Sequence, residues 1–351
     1  MAFSNTTTTT NLIASNSTRP HWGGTGSNVD IHIELYENEV DTKFKYDSVF
    51  RNGMSSHKTV SGRSNQVRID RMNGVTLRGR RAGEDVVPER VTSDKFNVVV
   101  DTMLYTRVHV DYVDDWTAPE FWKEYGENCG TEFALQYDKA HIIRLIKARD
   151  WVPPASVSNA FYAGLSAPVT LAARSAAGVE LTEEEMEDNA AVLTNVHAKL
   201  IETLIKRRVP LGDMVTIVTP AVYSELVHSK KLISTEFSLG NGNFADRRVS
   251  KLNGIPVIEL TTFPEAVTPN GQVDIMGAQF NVTANDLKGE MVIFSKAKSL
   301  VTVTARDYET EFWDNKDVKS YVLDTQGMFT VDVRRPDTIG TVLVTRVPKA
   351  D

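Results

Sequence analysis

The chain has 351 residues, 41% of them hydrophobic, with 39 Lys+Arg against 46 Asp+Glu and a formal net charge of -7. That is enough apolar material for one large or two modest cores, and the acidic balance argues against a chain whose main task is neutralising phosphates. No run of about 18 apolar residues exists, Met1-Ala2-Phe3-Ser4-Asn5 lacks the basic and apolar regions of a signal peptide, and the single Cys129 excludes an intrachain disulfide, so synthesis in the cytosol is expected.

Residues 1 to about 30 carry a Thr tract, Thr6 to Thr10, then Asn, Ser and Gly as far as Gly23-Gly24-Thr25-Gly26-Ser27-Asn28. They hold too few apolar groups to fold alone and read as an arm that another subunit would order. The Gly-rich piece follows no strand and opens no helix, so it does not qualify as a phosphate-cradling loop. Asn38 to Phe44 reads as a helical turn or two.

Asn65–Leu77 and Val91–Val113 read as two long strands: Val67 and Ile69 alternate with Arg68 and Asp70, and Phe96, Val98, Val100 and Thr102 alternate with Asn97, Val99 and Asp101. Together they predict a long hairpin whose distal part, Arg78-Gly79-Arg80-Arg81-Ala82-Gly83 to about Pro88, is a basic, glycine-rich tip. A two-stranded hairpin is marginal alone, and the second strand exceeds the usual limit of about ten residues, so the tip is expected to lie on something else.

The arginines Arg63, Arg68, Arg71, Arg78, Arg80, Arg81 and Arg90 admit three readings. Nucleic-acid binding lacks the aromatic interleaving that single-strand recognition uses. A solvated loop is the second. The third pairs these arginines with carboxylates of a neighbouring copy, because Asp111, Asp114, Asp115, Glu120, Glu124 and Glu127 cluster where the strand meets the next helix. His109 and Asp111 share a strand face, but with no second histidine or cysteine nearby a salt-bridged rim is preferred to a metal site.

The longest helix is predicted over residues 118–149. Thr117 and Glu120 form a capping box, Pro119 falls in the first turn, and Phe121, Tyr125, Cys129, Phe133, Leu135, Ile142, Leu145 and Ile146 recur at helical spacing. Trp151-Val152-Pro153-Pro154 ends it. At about 1.5 Å per residue the rod is roughly 45 Å long, a spine rather than a part of one small core. Cys129 lies on its apolar stripe and reads as a small core residue. Gly126 and Gly130, one turn apart, soften its middle: they are candidate hinges, or they allow a neighbour to pack closely.

Trp151–Gly178, rich in Ala, Ser, Pro and Gly, reads as an extended excursion with little regular structure. A second helix starts at the capping box Thr182 to Glu185 and runs to Lys206-Arg207-Arg208. Met214 to Val218 is a buried-type strand, and Thr219-Pro220 opens a third helix to about Ser229. A polar loop with Gly240-Asn241-Gly242-Asn243 leads to a tight turn at Asn253-Gly254 and a strand at Ile255 to Glu259. Further strands are expected at Met291–Phe294, Leu300–Ala305, Met328–Arg334 and Thr341–Val347. The strand-helix unit at Met214 to Ser229 carries no nucleophile elbow, Walker sequence, Rossmann fingerprint or paired-histidine ligand set, so no enzyme, cofactor or metal is expected.

The order of parts resembles the major capsid proteins of tailed bacteriophages with the HK97-type fold, in layout those of short-tailed phages of the T7 kind. The likeness is collinear over about residues 35 to 345. It rests on Val108 to Asp115 leading into the spine, Glu124-Tyr125 and Gly130 within it, Val209-Pro210 before Met214 to Thr219, and Pro220 to Leu226. Asn253-Gly254-Ile255-Pro256-Val257-Ile258-Glu259 and Lys296-Ala297-Lys298-Ser299-Leu300 complete the series. The resemblance implies an α+β fold with an N-terminal arm (1–50), an extended-loop hairpin (51–97), a peripheral domain with the spine (98–208), an axial domain (209–305) and return strands with the C-terminus (306–351). It implies pentamers and hexamers forming an icosahedral shell around double-stranded DNA held non-specifically. A scaffold protein, a portal and a cement protein are the implied partners, with no membrane, and the virion is the implied location. The competing function is a nucleic-acid-binding regulator using residues 63–90.

Overall fold

The computed structural model describes residues 40, 43–44, 48–60, 64–86, 88–113, 121–174, 180–229, 249 and 251–348. The expected arm, Arg63, Asp114, Asp115, the capping box Thr117 to Glu120 and the loop around Gly240 lie outside the described residues. None of the helices formed by the described residues is long and apolar enough to cross a membrane.

The first strands are β1 (Ser56–Thr59), β2 (Gln66–Met72), β3 (Ser93–Val99) and β4 (Leu104–Asp111). The single strand expected over Val91–Val113 is therefore two. Its period-2 pattern is unbroken, since even-numbered residues from Asp94 to Val110 are less exposed than their odd neighbours. The pairing partner changes instead: β3 pairs with β2, whereas β4 pairs with a strand far along the chain. Side-chain alternation reports which face is covered and carries no information about the ladder partner.

Next come α1 (Phe121–Lys147), closed by a 3₁₀ turn over Ala148–Asp150, and β5 (Leu165–Ala173). β5 corrects the expectation of an irregular excursion. Its small residues and Pro168 weaken the strand signal, yet it is an edge strand, where a missing N-H is tolerated. α2 (Glu183–Lys206) has the reciprocal capping box of Thr182 and Glu185. β6 (Met214–Val218) is buried throughout, and Thr219 caps α3 (Pro220–Val227) with proline in the first turn. β7 (Lys251–Leu252) and β8 (Ile255–Glu259) flank Asn253 and Gly254 at φ 50° and 83°, the positive pair that a two-residue hairpin turn needs. The chain ends with β9 (Gly289–Ser295), β10 (Leu300–Asn315), β11 (Ser320–Val333) and β12 (Ile339–Pro348).

Two compact units divide the chain. The described residues of the first fall in Met1–Val49, Met103–Tyr137 and Arg306–Gly327. Within it β4 pairs antiparallel with Ser320 to Gly327 of β11. Phe44, next to helical Lys43, sets its ring edge-on to Tyr137 and Tyr308 at 5.4 and 5.7 Å. Arg107 Nε donates to Asp324 Oδ2 at 3.1 Å across the β4–β11 pair.

The second unit comprises Phe50–Thr102, Asp138–Ala305 and Met328–Asp351. Its sheet runs β5-β12-β9-β6-β8-β7, with β12 parallel to β5 and antiparallel to β9. Leu193, Leu200 and Leu204 of α2 and Val222 and Leu226 of α3 cover this sheet in one core with Met214, Ile293 and Val342. A smaller core joins Ile69 and Val98 of the β2–β3 hairpin to Val301 and Val303 of β10. From Ala140 to Arg149 the helical segment is buried nearly all round, so its polar groups need internal partners. His141 Nε2 meets Thr302 Oγ1 at 2.8 Å, Asp138 accepts from Phe50 N at 3.3 Å, and Arg149 Nη2 meets Asp286 Oδ1 at 2.6 Å.

Candidate functional site

The β2–β3 register places Val67 opposite Val98, Ile69 opposite Phe96 and Arg71 opposite Asp94 on one face. Valine and isoleucine turn that face inward, and parity carries Arg71 with them. Arg71 is buried. Its Nη2 donates to Val333 O at 2.9 Å and its Nε to Arg334 O at 3.1 Å, while the guanidinium lies 3.9 Å from the Phe96 ring centre and 5.2 Å from that of Trp151. Burial lowers its pKa, opposed by Asp332, Asp94 and Asp337. Two of the Arg71 donors are therefore used inside its own chain, which makes it an anchor of the hairpin base, where the sequence suggests a contact between subunits. Arg68, on the opposite face, pairs with Asp70 at 3.0 Å in solvent.

Asn73 N donates to Thr92 O at 3.0 Å, and beyond this pair the ladder stops. Arg78, Arg80, Arg81 and Arg90 are all exposed. A small turn closes the tip: Arg81 N donates to Glu84 Oε2 at 3.0 Å, Glu84 N returns to Arg81 O at 3.2 Å, and Gly83 takes φ 93°. Glu84, Asp85 and Glu89 stand among those four arginines, so the strongly basic tip of the sequence reading is a mixed one. Its apolar groups went unread. Val75, Val86 and Val91 are exposed and Leu77 is 98% exposed, a pattern visible as four aliphatic residues outside the paired strands.

The acidic residues at the other end do not act alike. Asp111 Oδ1 accepts from Val113 N at 2.8 Å, a local turn that ends β4. Glu127 lies 3.7 Å from Lys43 in the same unit, and Glu124 is exposed. Asp114, Asp115 and Glu120 are outside the described residues. The described residues contain no group of three or more His, Cys, Asp or Glu suited to a metal.

Gly126 and Gly130 are both buried on α1, as is Cys129. A Cβ on Gly130 would stand 2.7 Å from Val40 O and 2.8 Å from Lys43 Cβ. Gly130 is thus a packing glycine, which corrects its candidacy as a hinge: the missing side chain lets the segment around Val40 reach the helix.

Comparison with solved structures bears on the whole chain. It is similar to the subunit in the asymmetric unit of the bacteriophage PhiM1 mature capsid, with 39% identity over 94% of this chain and 97% of that one and a TM-score of 0.75. The capsid of Cyanophage P-SCSP1u shares the fold at 17% identity, covering 86% and 89% with a TM-score of 0.65. A structure from Mycobacterium phage Che8 does so at 15% identity, covering 84% and 90% with a TM-score of 0.57. No family model and no curated protein sequence matches the chain.

Proposed function

The chain belongs to the HK97-type major capsid proteins of tailed bacteriophages, and on that premise we propose how its parts build the head shell. It is a structural protein of the virion whose copies assemble into the shell. The observation that carries this is 39% identity to a mature-capsid subunit over nearly the full length of both chains.

In the proposed assembly, pentamers and hexamers form through the residue 209–305 region near the symmetry axes, and the spine region lies at the periphery. The base of the β2–β3 hairpin stays with its own subunit through Arg71 and the Ile69–Val98 core. The tip, with Leu77, Arg78, Arg80 and Arg81, rests on the next copy and pairs with its carboxylates; Asp111, Glu124 and Glu127 are the described candidates. Assembly in the host cytoplasm around a scaffold protein, with a portal at one vertex, a cement protein on the lattice and double-stranded DNA held non-specifically inside, completes the proposal. No catalysis is assigned.

Replacing Arg78, Arg80 and Arg81 together with glutamate tests the tip. The subunit should fold, because the tip contributes nothing to either core, while like charges facing acidic residues block shell formation. Normal shells of the triple variant in electron micrographs would defeat this role for the tip.

A further inference from the structure

In the second unit, a cavity of about 360 Å³ opens beside the end of α1, lined among others by Arg71, Phe96, Arg144, Lys147, Trp151 and Asp332. Three of these six are cations. Arg144 and Lys147 stand three residues apart and share a helix face. Arg71 enters from β2, lying over Phe96.

The carboxylates nearby are already committed. Asp332 accepts from Arg144 Nη2 and from Val333 N, Asp150 at the rim pairs with Arg149 at 3.4 Å, and Asp94 sits 3.8 Å from Arg71. Lys147 has only the neutral carbonyl of Gln279, at 3.2 Å from its Nζ, as a polar contact among the described residues. Arg144 Nε is buried and finds no acceptor among them. Burial lowers the Lys147 pKa, with Arg144 and Arg149 adding to the effect against Asp286 and Asp274. Lys147, with no carboxylate in direct contact among the described residues and only the more distant Asp286 and Asp274 acting on its charge, and Arg144, with a guanidinium N-H lacking an acceptor, both line this cavity and together suit an oxyanion.

We propose that this cavity takes a carboxylate side chain from a second copy of this chain, bound by Lys147 and Arg144 against the Phe96 and Trp151 rings. Charge complementarity favours this occupant: the lining carries Arg71, Arg144 and Lys147 against Asp150 and Asp332, and a second copy, with 46 Asp+Glu against 39 Lys+Arg, is the macromolecule of matching charge that a shell brings against it. The volume admits a whole acidic side chain with an apolar neighbour. A nucleic-acid backbone is disfavoured, since a polyanion needs an array of cations, and exposed Asp150 stands at the rim.

The inference rests on shell formation, and the test separates the two. Shells grown from mixed ¹⁴N and ¹⁵N subunits are treated with a carbodiimide, which joins an amine to a carboxylate as an amide and leaves with the carboxylate oxygen as a urea. Mass spectrometry should find Lys147 coupled to an Asp or Glu peptide of the other isotope in shells and not in dissociated subunits. Lys147→Gln should melt like the parent subunit but assemble with an apparent constant lowered about tenfold, the loss expected for one charged contact. Shells in which Lys147 couples to no other subunit, or Lys147→Gln subunits that assemble normally, overturn the inference alone. Lys147→Gln shells that form normally but leak DNA overturn it in favour of a phosphate. Parent chains that form no particles overturn the shell reading and this inference with it.

Discussion

Arg71→Ala is expected to lower the melting temperature of the unassembled subunit by about 6 to 12 °C. The guanidinium donates to Val333 O at 2.9 Å and Arg334 O at 3.1 Å, and bonds from a charged donor contribute roughly 1.5 kcal/mol each at the lower end of their range. Its stacking on Phe96 at 3.9 Å adds about 0.5 to 1 kcal/mol. The Asp94 contact, at 3.8 Å, is long and adds little. Water entering from the adjoining cavity re-solvates the two carbonyls and offsets part of the loss, leaving about 3 kcal/mol. For a domain of 150 to 250 residues each kcal/mol moves the midpoint by about 2 to 4 °C. Arg71→Lys should recover less than half, because an ammonium cannot fork to both carbonyls and stack as well. Arg68→Ala is the control: its pair with Asp70 is about half exposed on both sides, and its loss should stay below about 0.5 kcal/mol. Scanning calorimetry of the three variants decides the matter, and an Arg71→Ala midpoint within about 1 °C of the parent, or equal to that of Arg68→Ala, would refute the anchoring role.

Gly130→Ala should cost about 1 to 3 kcal/mol as an overpacked contact, since its Cβ would lie 2.7 Å from Val40 O, and thermal melting of the subunit checks it. Glu225→Gln should raise stability at pH 7, by less than about 1 kcal/mol, because Glu225 Oε2 is buried with no partner among the described residues. Burial raises the Glu225 pKa, Glu290 adds to it and Arg346 opposes it. A carboxyl with a folded pKa above its unfolded value favours the fold more as the pH falls, so the gap between variant and parent should narrow from pH 7 towards the ordinary glutamate value of 4.5. A gap that widens on acidification contradicts the sign.

The helices were legible because their signals are local. Thr182 and Glu185, and Thr219 before Pro220, mark starts within four residues of sequence, and the structure places the caps on those residues. The strands were legible where they are buried throughout, as in β6, or where alternation of apolar and polar residues marks one covered face, as in β2 and β3. β10 was expected to end at Ala305 and runs to Asn315. Its outer half keeps the alternation, with Tyr308, Thr310 and Phe312 less exposed than Asp307, Glu309 and Glu311, but charge on every second residue hides a strand that covers only one face. Arg71 could have been placed by extending the Val67–Ile69 parity one step. What could not be read was the partner of each face, because the register of β4 on β11 and the carbonyls that receive Arg71 lie more than 200 residues away.

The hairpin shows why its two ends behave differently. Up to Arg71 every inward residue finds a neighbour within its own unit, Val67 and Ile69 on the Val301–Val303 core and Arg71 on the Val333 and Arg334 carbonyls. Past the Asn73–Thr92 pair no ladder continues, and a two-stranded ribbon without a covered face cannot hold itself. Exposed Val75, Leu77 and Val86 would gain roughly 25 cal/mol for each Å² they bury. On the proposed reading they bury it only on another copy. The arginines and carboxylates interspersed with them keep that apolar surface hydrated in the free subunit and broken into small patches, which delays association until a complementary surface arrives. Mixed charge at the tip is therefore what a chain that must stay soluble before it assembles requires, and it lets the apolar contact supply the affinity while the charges choose the partner.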